Sequence, residues 1–88
     1  MKNKVLVKII FIELDTSFDV FLPVNELIWK IKKMVQKSVS DLTNIPLDMQ
    51  SDYLLINKDN GRVYTNNEIL INTDIRNGSE LIFISKNS

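Results

Sequence analysis

Residues 18–42 read FDVFLPVNELIWKIKKMVQKSVSDL and contain the change of periodicity that decides the fold. Phe18, Val20 and Leu22 alternate with residues 19 and 21, which predicts a strand. These three side chains are predicted to face the core, and the odd-numbered side chains are predicted to face away from it. Pro23 ends the strand, and apolar residues then recur every three or four positions. The stretch therefore predicts a strand that leads into an amphipathic helix.

The helix is predicted from about Glu26 to Asp41. Asn25 is its predicted N-cap, because an asparagine oxygen can accept a backbone N–H that the first turn leaves unpaired. With this cap, Val24 and Trp29 would form a hydrophobic staple. One helical stripe should face the core, and it consists of Ile28, Ile31, Val35, Val39 and Leu42.

The remaining strands are read outward from this centre. Val5–Leu14 predicts a first strand and the polar stretch 15–17 a turn, so that strands one and two form a hairpin. Asp52–Asn57 and Gly61–Thr65 predict two strands around an Asn-Gly turn, and Glu80–Ser85 predicts the last strand. Lysine at position 8 indicates that the even-numbered side chains of the first strand face away from the core, so that Val5, Val7, Ile9 and Phe11 are predicted to face inward.

These elements predict an α+β fold of the β-grasp (ubiquitin-like) plan. A mixed sheet of about four to five strands would pack on one α-helix. The order is ββαββ, with an irregular or partly helical segment at 66–77 before the last strand. Since 88 residues support only one modest core, residues 1–88 are predicted to form a single domain.

Composition narrows the function classes. The chain is 44% hydrophobic and 25% charged, as expected of a folded protein, and eleven basic residues balance eleven acidic ones, which disfavours nucleic acid as a partner. The sequence contains neither cysteine nor histidine, so the thiolate nucleophile and the commonest general base and zinc ligand are both missing. We therefore expect no enzyme, no cofactor and no metal site.

The first residues resemble a signal peptide only superficially. Lys8 interrupts the apolar run, Glu13 and Asp15 close it, and the chain contains no alanine for a small-residue cleavage site. A membrane span needs about 20 apolar residues, more than any run here. We expect a cytoplasmic protein without direct membrane insertion.

Several motifs resemble known families. Ile45-Pro46-Leu47-Asp48-Met49-Gln50 is similar to the Ile-Pro-Pro-Asp-Gln-Gln of ubiquitin, and Leu70, Ile75 and Leu81 keep the rhythm of its last third. A conjugated modifier ends in two glycines, whereas this chain ends Ser85-Lys86-Asn87-Ser88, so the expectation is a protein that is not conjugated to targets.

A closer resemblance is to the bacterial ubiquitin-like proteins of type VII secretion loci, the YukD and EsaB family. Phe18-Asp19-Val20 resembles that family's Phe/Tyr-Asp-Leu segment, and 23–28 resembles its Pro-Val/Ile-x-x-Leu/Val-Ile helix start. Ile75-Arg76-Asn77-Gly78-Ser79-Glu80-Leu81 resembles its Ile-x-x-Gly-x-x-Leu segment. The resemblance implies an accessory or regulatory component of a type VII (ESX-like) secretion system.

Two surfaces are candidate protein-binding sites. On the sheet face opposite the helix, the alternation assigns an apolar patch to solvent, consisting of Ile10, Phe21, Leu55, Ile82 and Ile84. A register error of one residue in a strand would turn its members inward. On the helix, Trp29 lies beside Lys33 and could anchor a partner, although the hydrophobic staple is the alternative explanation of Trp29.

Three functions are consistent with these observations. The first is protein binding, with a secretion-apparatus component or regulator as the partner. The second is a covalent modifier or sulfur carrier, which the ending without Gly-Gly disfavours. The third is a structural β-grasp protein whose apolar sheet face is buried in a homodimer.

Overall fold

The computed structural model describes residues 3–48 and 50–86. Their order is β1 (Lys4–Phe11), β2 (Thr16–Pro23), α1 (Ile28–Thr43), β3 (Tyr53–Asn57) and β4 (Glu80–Ser85), with single 3-10 turns at Ile12–Leu14 and Leu70–Asn72. The four strands form one sheet in the order β2-β1-β4-β3, in which β1 is parallel to β4 and the other neighbours are antiparallel. The predicted β-grasp arrangement of a mixed sheet on one helix is confirmed.

The core lies between α1 and one face of the sheet. The predicted inward face of β1 is confirmed, since Val7, Ile9 and Phe11 are buried and Val5 packs against them. Leu22 of β2 is also buried. The remaining core side chains come from the β2–α1 connection, the helix, β3, β4 and the segment before β4, namely Val24, Ile28, Ile31, Val35, Val39, Tyr53, Leu55, Tyr64, Leu70, Ile75, Leu81 and Phe83.

The helix begins two residues later than predicted, and Asn25 is not its N-cap. Leu27 occupies that position without a side-chain cap. The first N–H groups bond instead to backbone carbonyls of the segment before β4, because Ile28 N donates to Glu68 O at 2.8 Å and Trp29 N to Asn66 O at 3.3 Å. The staple prediction is also wrong, since its two positions now fall on residues 26 and 31.

The far end of the helix differs from the prediction in one side chain. Leu42 lies on the predicted stripe but is 64% exposed, since the last turn of α1 extends past the packed core. Gln36, which the pattern left outside, is buried. Its amide nitrogen contacts the carbonyls of Asp48 and Ser51 at 3.3 and 3.5 Å, which ties the loop after α1 to the helix.

The connection between β1 and β2 is tighter than predicted. Strand β1 ends at Phe11, and residues 12–14 form a 3-10 turn. Asp15 then reverses the chain with a left-handed φ of 47°. Such a conformation is tolerated by aspartate better than by most residues, and β2 begins immediately after it.

The prediction for β3 was wrong in register. Tyr53, Leu55 and Asn57 face the core, with Leu55 fully buried, while Leu54 and Ile56 face away from it. The predicted strand Gly61–Thr65 is reduced to an isolated bridge between Ile56 and Val63.

A polar network takes the place of that strand. The Tyr64 hydroxyl donates to Asp74 Oδ1 at 2.5 Å and accepts from Asn57 Nδ2 at 3.1 Å. Asn60 Nδ2 donates to the other oxygen of Asp74 at 2.9 Å. Burial, reinforced by the bond to Asp74, raises the pKa of Tyr64 to about 12, while this same bond is the main cause that lowers the pKa of Asp74. The network holds the segment between β3 and β4 against the sheet.

Candidate docking surface on the outer face of the sheet

The face of the sheet opposite α1 carries an apolar cluster. The register places Ile10 of β1 beside Ile82 of β4, and Ile82 beside Ile56 of β3. One pair further along, Ile84 lies beside Leu54. All five side chains are half-buried, because neighbours on adjacent strands cover one another, and Val63 is bridged to Ile56 at the edge of β3. We call Ile10, Leu54, Ile56, Ile82 and Ile84 the outer apolar cluster.

A row of alternating charges borders this cluster. Asp19 of β2 is paired with Lys8 of β1, and Lys8 with Glu80 of β4. Glu80 Oε1 lies 3.5 Å from Lys58 Nζ, just beyond β3. The row Asp19, Lys8, Glu80 and Lys58 thus crosses the whole sheet with alternating sign, an arrangement that stabilises cross-strand neighbours. Its two acidic and two basic side chains sum to no net charge.

On the other side of the charged row, two apolar side chains form a separate pair. Phe21 and Leu6 are directly paired across β2 and β1, and they are 48% and 39% exposed. Lys4, Asn77 and Gly78 border an open groove beside them. Gly78 has a φ of 88°, and its N–H donates to Leu6 O at 2.8 Å, so the turn before β4 closes one side of this groove.

The structure brings together three of the five predicted patch residues. Ile10, Ile82 and Ile84 belong to the outer apolar cluster. Leu55 does not, because the register of β3 turns it into the core, and Phe21 is separated from the others by the charged row.

Sequence reasoning missed Leu54 and Ile56, although the run Leu54-Leu55-Ile56 showed that both faces of β3 would be apolar. The pairing of strands, which the sequence does not contain, decides which residues join the cluster.

The second candidate surface surrounds Trp29. Its side chain is 43% exposed, and Lys30 Nζ lies 5.5 Å from the ring centroid in a cation–π contact. Lys33 lies in the same shallow groove, together with Lys32 and Asp52. Burial lowers the pKa of Lys32, whose Nζ donates to Asn66 Oδ1 at 2.8 Å. The indole is thus partly covered by its neighbours and stands as a single exposed ring, whereas the outer apolar cluster joins five apolar side chains on three strands.

Comparison with known proteins identifies the fold. No protein-family model and no curated protein matches the sequence. Among solved structures, the ubiquitin-like domain of Dsk2 from Plasmodium falciparum is 13% identical, with a TM-score of 0.69, over 94% of this chain and 99% of that one. Ubiquitin from Caldiarchaeum subterraneum is 17% identical, with a TM-score of 0.62, over 94% of both chains. The chain has a ubiquitin-like β-grasp fold.

A third similar structure is described as the MycP5-free ESX-5 inner membrane complex, State II. One of its chains is 19% identical, with a TM-score of 0.66, over 94% of the present chain. The present chain spans only 21% of the length of that larger chain. At these identities the likeness establishes the fold alone. In the parts of the present chain that the structure describes, no helix has the length and apolar character that crossing a bilayer requires.

Proposed function

We propose that this protein is a non-catalytic, non-conjugated protein-binding module that acts as an accessory or regulatory component of a type VII (ESX-like) secretion system. Its outer apolar cluster would dock on a protein of the secretion apparatus or on a regulator of it. The single observation that carries the docking proposal is the contiguity of five half-buried apolar side chains over three neighbouring strands. An unpartnered apolar surface of this kind typically marks an interaction site.

Two observations support the secretion context. The YukD and EsaB-like motifs occupy β2, the start of the helix and the turn that leads into β4, and a ubiquitin-like fold similar to this one occurs in a structure described as an ESX-5 inner membrane complex. In that setting a docking module would contribute binding without chemistry.

The docking proposal can be tested with an acidic residue placed in the cluster. Ile82→Asp lies at its centre, and Leu54→Asp lies on the terminal strand β3, where substitution disturbs the sheet less. We expect each variant to bind the secretion-apparatus partner about tenfold more weakly or worse, because a charge must be desolvated inside an apolar contact. Crosslinking in cells, followed by measurement of affinity for the crosslinked component, gives the readout.

Leu42→Asp is the matched control. It introduces the same carboxylate at an apolar position that is 64% exposed at the end of α1, far from the sheet face. Circular dichroism establishes that all three variants are folded. Equal binding by wild type, Leu54→Asp and Ile82→Asp would refute docking through the cluster, and crosslinks only to proteins unrelated to secretion would refute the assignment to a secretion system.

A homodimer is the second candidate function, because the same cluster could be buried against a second copy. Sedimentation at micromolar concentrations separates the two. A dimer that Ile82→Asp dissociates and Leu42→Asp does not would favour it, whereas a monomer favours docking on another protein. Mass spectrometry of cell extracts for lysine adducts tests the modifier alternative.

A further inference from the structure

Strand β2 forms an open edge of the sheet. It pairs with β1 on one side and with no other strand among residues 3–48 and 50–86. Val24 N donates to Asn3 O at 3.0 Å, and these two residues are opposite one another in the β1–β2 register. Because hydrogen-bonded and non-hydrogen-bonded pairs alternate in antiparallel strands, residues 16, 18, 20 and 22 direct their backbone groups to β1.

The other residues of β2 direct theirs outward. Ser17, Asp19 and Phe21 therefore present a row of N–H and C=O groups at the edge, and none of these has a partner in the described parts of the chain. Pro23, which has no N–H, limits the row at one end, and the left-handed Asp15 limits it at the other. Such an edge is a template for one further strand.

The side chains along the edge restrict what that strand can be. On the outer face Phe21 is 48% exposed, and on the helix side Phe18 and Val20 are half-buried. An added strand with apolar residues on both faces would therefore cover apolar area on each side. Between them, Asp19 ends the row of alternating charges and forms no ion pair with any described residue. A cation opposite Asp19 would continue the alternation.

A second copy of this chain fits the edge poorly. A two-fold antiparallel pairing centred on Asp19 puts two carboxylates directly opposite one another, which is destabilising. A register shifted toward Pro23 places a residue without an N–H opposite Ser17. A shift in the other direction leaves only Ser17 and Asp19 of each strand to pair, since Asp15 lies outside β2.

We propose that the β2 edge takes up an extended segment of another protein as an additional strand, with a lysine or arginine opposite Asp19 and apolar residues two positions to either side. The inference goes beyond the proposed function, uses a different surface, and stands even if the outer apolar cluster binds nothing. The backbone groups of Ser17, Asp19 and Phe21 supply the hydrogen bonds, and Asp19 selects the sign of the charge.

The test uses two blocked heptapeptides, Thr-Leu-Val-Lys-Val-Leu-Thr and the same peptide with glutamate at its centre. Their palindromic pattern places leucine near Phe21 in either strand direction. Titration into the folded protein, followed by NMR, is expected to protect the amides of Ser17, Asp19 and Phe21 from hydrogen exchange. The lysine peptide should bind about two- to fivefold more tightly than the glutamate peptide.

Two variants separate the contributions of backbone and charge. Asp19→Lys should reverse the preference, so that the glutamate peptide binds more tightly. Ser17→Pro removes one outward N–H without touching the bonds to β1, and it should weaken both peptides about three- to tenfold. If Ser17→Pro fails to fold, Asp19→Lys decides alone.

Three results would overturn the proposal. They are the absence of amide protection at millimolar peptide, a preference that Asp19→Lys leaves unchanged, and protection of the same three amides by self-association of the protein without peptide. Chemical-shift changes confined to the outer apolar cluster would also overturn the proposal, because the peptide would then bind to that surface and not to the β2 edge.

Discussion

The polar network around Tyr64 gives the sharpest prediction of stability. Tyr64→Phe keeps a buried ring, since the side chain is only 1% exposed, but it removes a hydroxyl with two partners. The bond to the Asp74 carboxylate is charge-assisted, and its loss costs about 1.5–3 kcal/mol. Asn57 Nδ2 loses its buried acceptor, which adds to the cost, while Asp74 keeps its bond from Asn60.

Together these losses should lower the free energy of unfolding by about 2–4 kcal/mol at neutral pH. For a domain of this size the melting temperature should fall by about 10–25 °C. Urea denaturation followed by circular dichroism measures the first quantity and calorimetry the second. Tyr53→Phe is the matched control, because Tyr53 is a stacked core ring whose hydroxyl has no hydrogen-bond partner among the described residues, and it should cost less than about 1 kcal/mol.

The pH dependence of the difference identifies the hydroxyl as the cause. Folding raises the pKa of Tyr64 from 10.0 to about 12, so the neutral phenol is favoured in the folded state. The stabilisation is fully present below pH 10 and is lost as the pH rises toward 12. The wild type and Tyr64→Phe should therefore converge in stability over this window. A difference below about 1 kcal/mol at pH 7, or one that is the same at pH 8 and pH 11.5, would refute the reasoning.

Three further predictions concern register, acid stability and a turn. Leu55→Ala should lower the free energy of unfolding by about 2–5 kcal/mol and Leu54→Ala by about 1 kcal/mol or less, because only Leu55 is in the core. Chemical denaturation measures both values, and similar values for the two variants would contradict the register of β3. A hydrogen bond from the Thr65 backbone is the main cause that lowers the pKa of Glu68, and the bond from Tyr64 is the main cause that lowers the pKa of Asp74. Both carboxylates should therefore stabilise the fold above about pH 4.5, and this stability should be lost as the pH falls through their depressed pKa values. Thermal melts from pH 6 to pH 2 should show a smaller decline for Glu68→Gln than for the wild type, and equal declines would exclude this contribution. Gly78→Ala should lower the free energy of unfolding by about 1–2 kcal/mol. The cost comes from the φ of 88° alone, since an added Cβ meets nothing within 4 Å. An unchanged melting temperature would show that alanine is accommodated there without strain.

The elements with an unambiguous period could be predicted from the sequence. Lys8 fixed the phase of β1, and the spacing of Ile28, Ile31, Val35 and Val39 fixed the buried face of α1. The phase of β3 could not be read in the same way, because Leu54-Leu55-Ile56 is apolar on both faces. Asn57 favours the wrong phase, because a polar side chain is normally expected in water. Asn57 and Leu55 lie on the same face of β3, so a register that exposes Asn57 also exposes Leu55. Its burial depends on Tyr64, seven residues away along the chain.

The start of α1 was mispredicted for a similar reason. A local rule assigns Asn25 as the cap, whereas the first N–H groups are satisfied by carbonyls of residues 66 and 68, distant in the sequence. The candidate docking surface shares this dependence. Three of its residues follow from alternation within single strands, but the separation of Phe21 from them requires the pairing of Asp19, Lys8 and Glu80 across three strands.

The parallel pairing of β1 with β4 affects how the protein comes to fold as it is made. Leu6 and Asn77, whose side-chain oxygen accepts the Leu6 N–H, are 71 positions apart, and Leu81 and Phe83 reach the core last. The ribosome releases β1, β2 and α1 before β4, so the buried face of the hairpin has no complete partner until β4 has emerged. Closing so long a loop is entropically slow. We therefore expect the domain to fold only once β4 has emerged from the ribosome, with an interval in which the apolar face of β1 is open to chaperones.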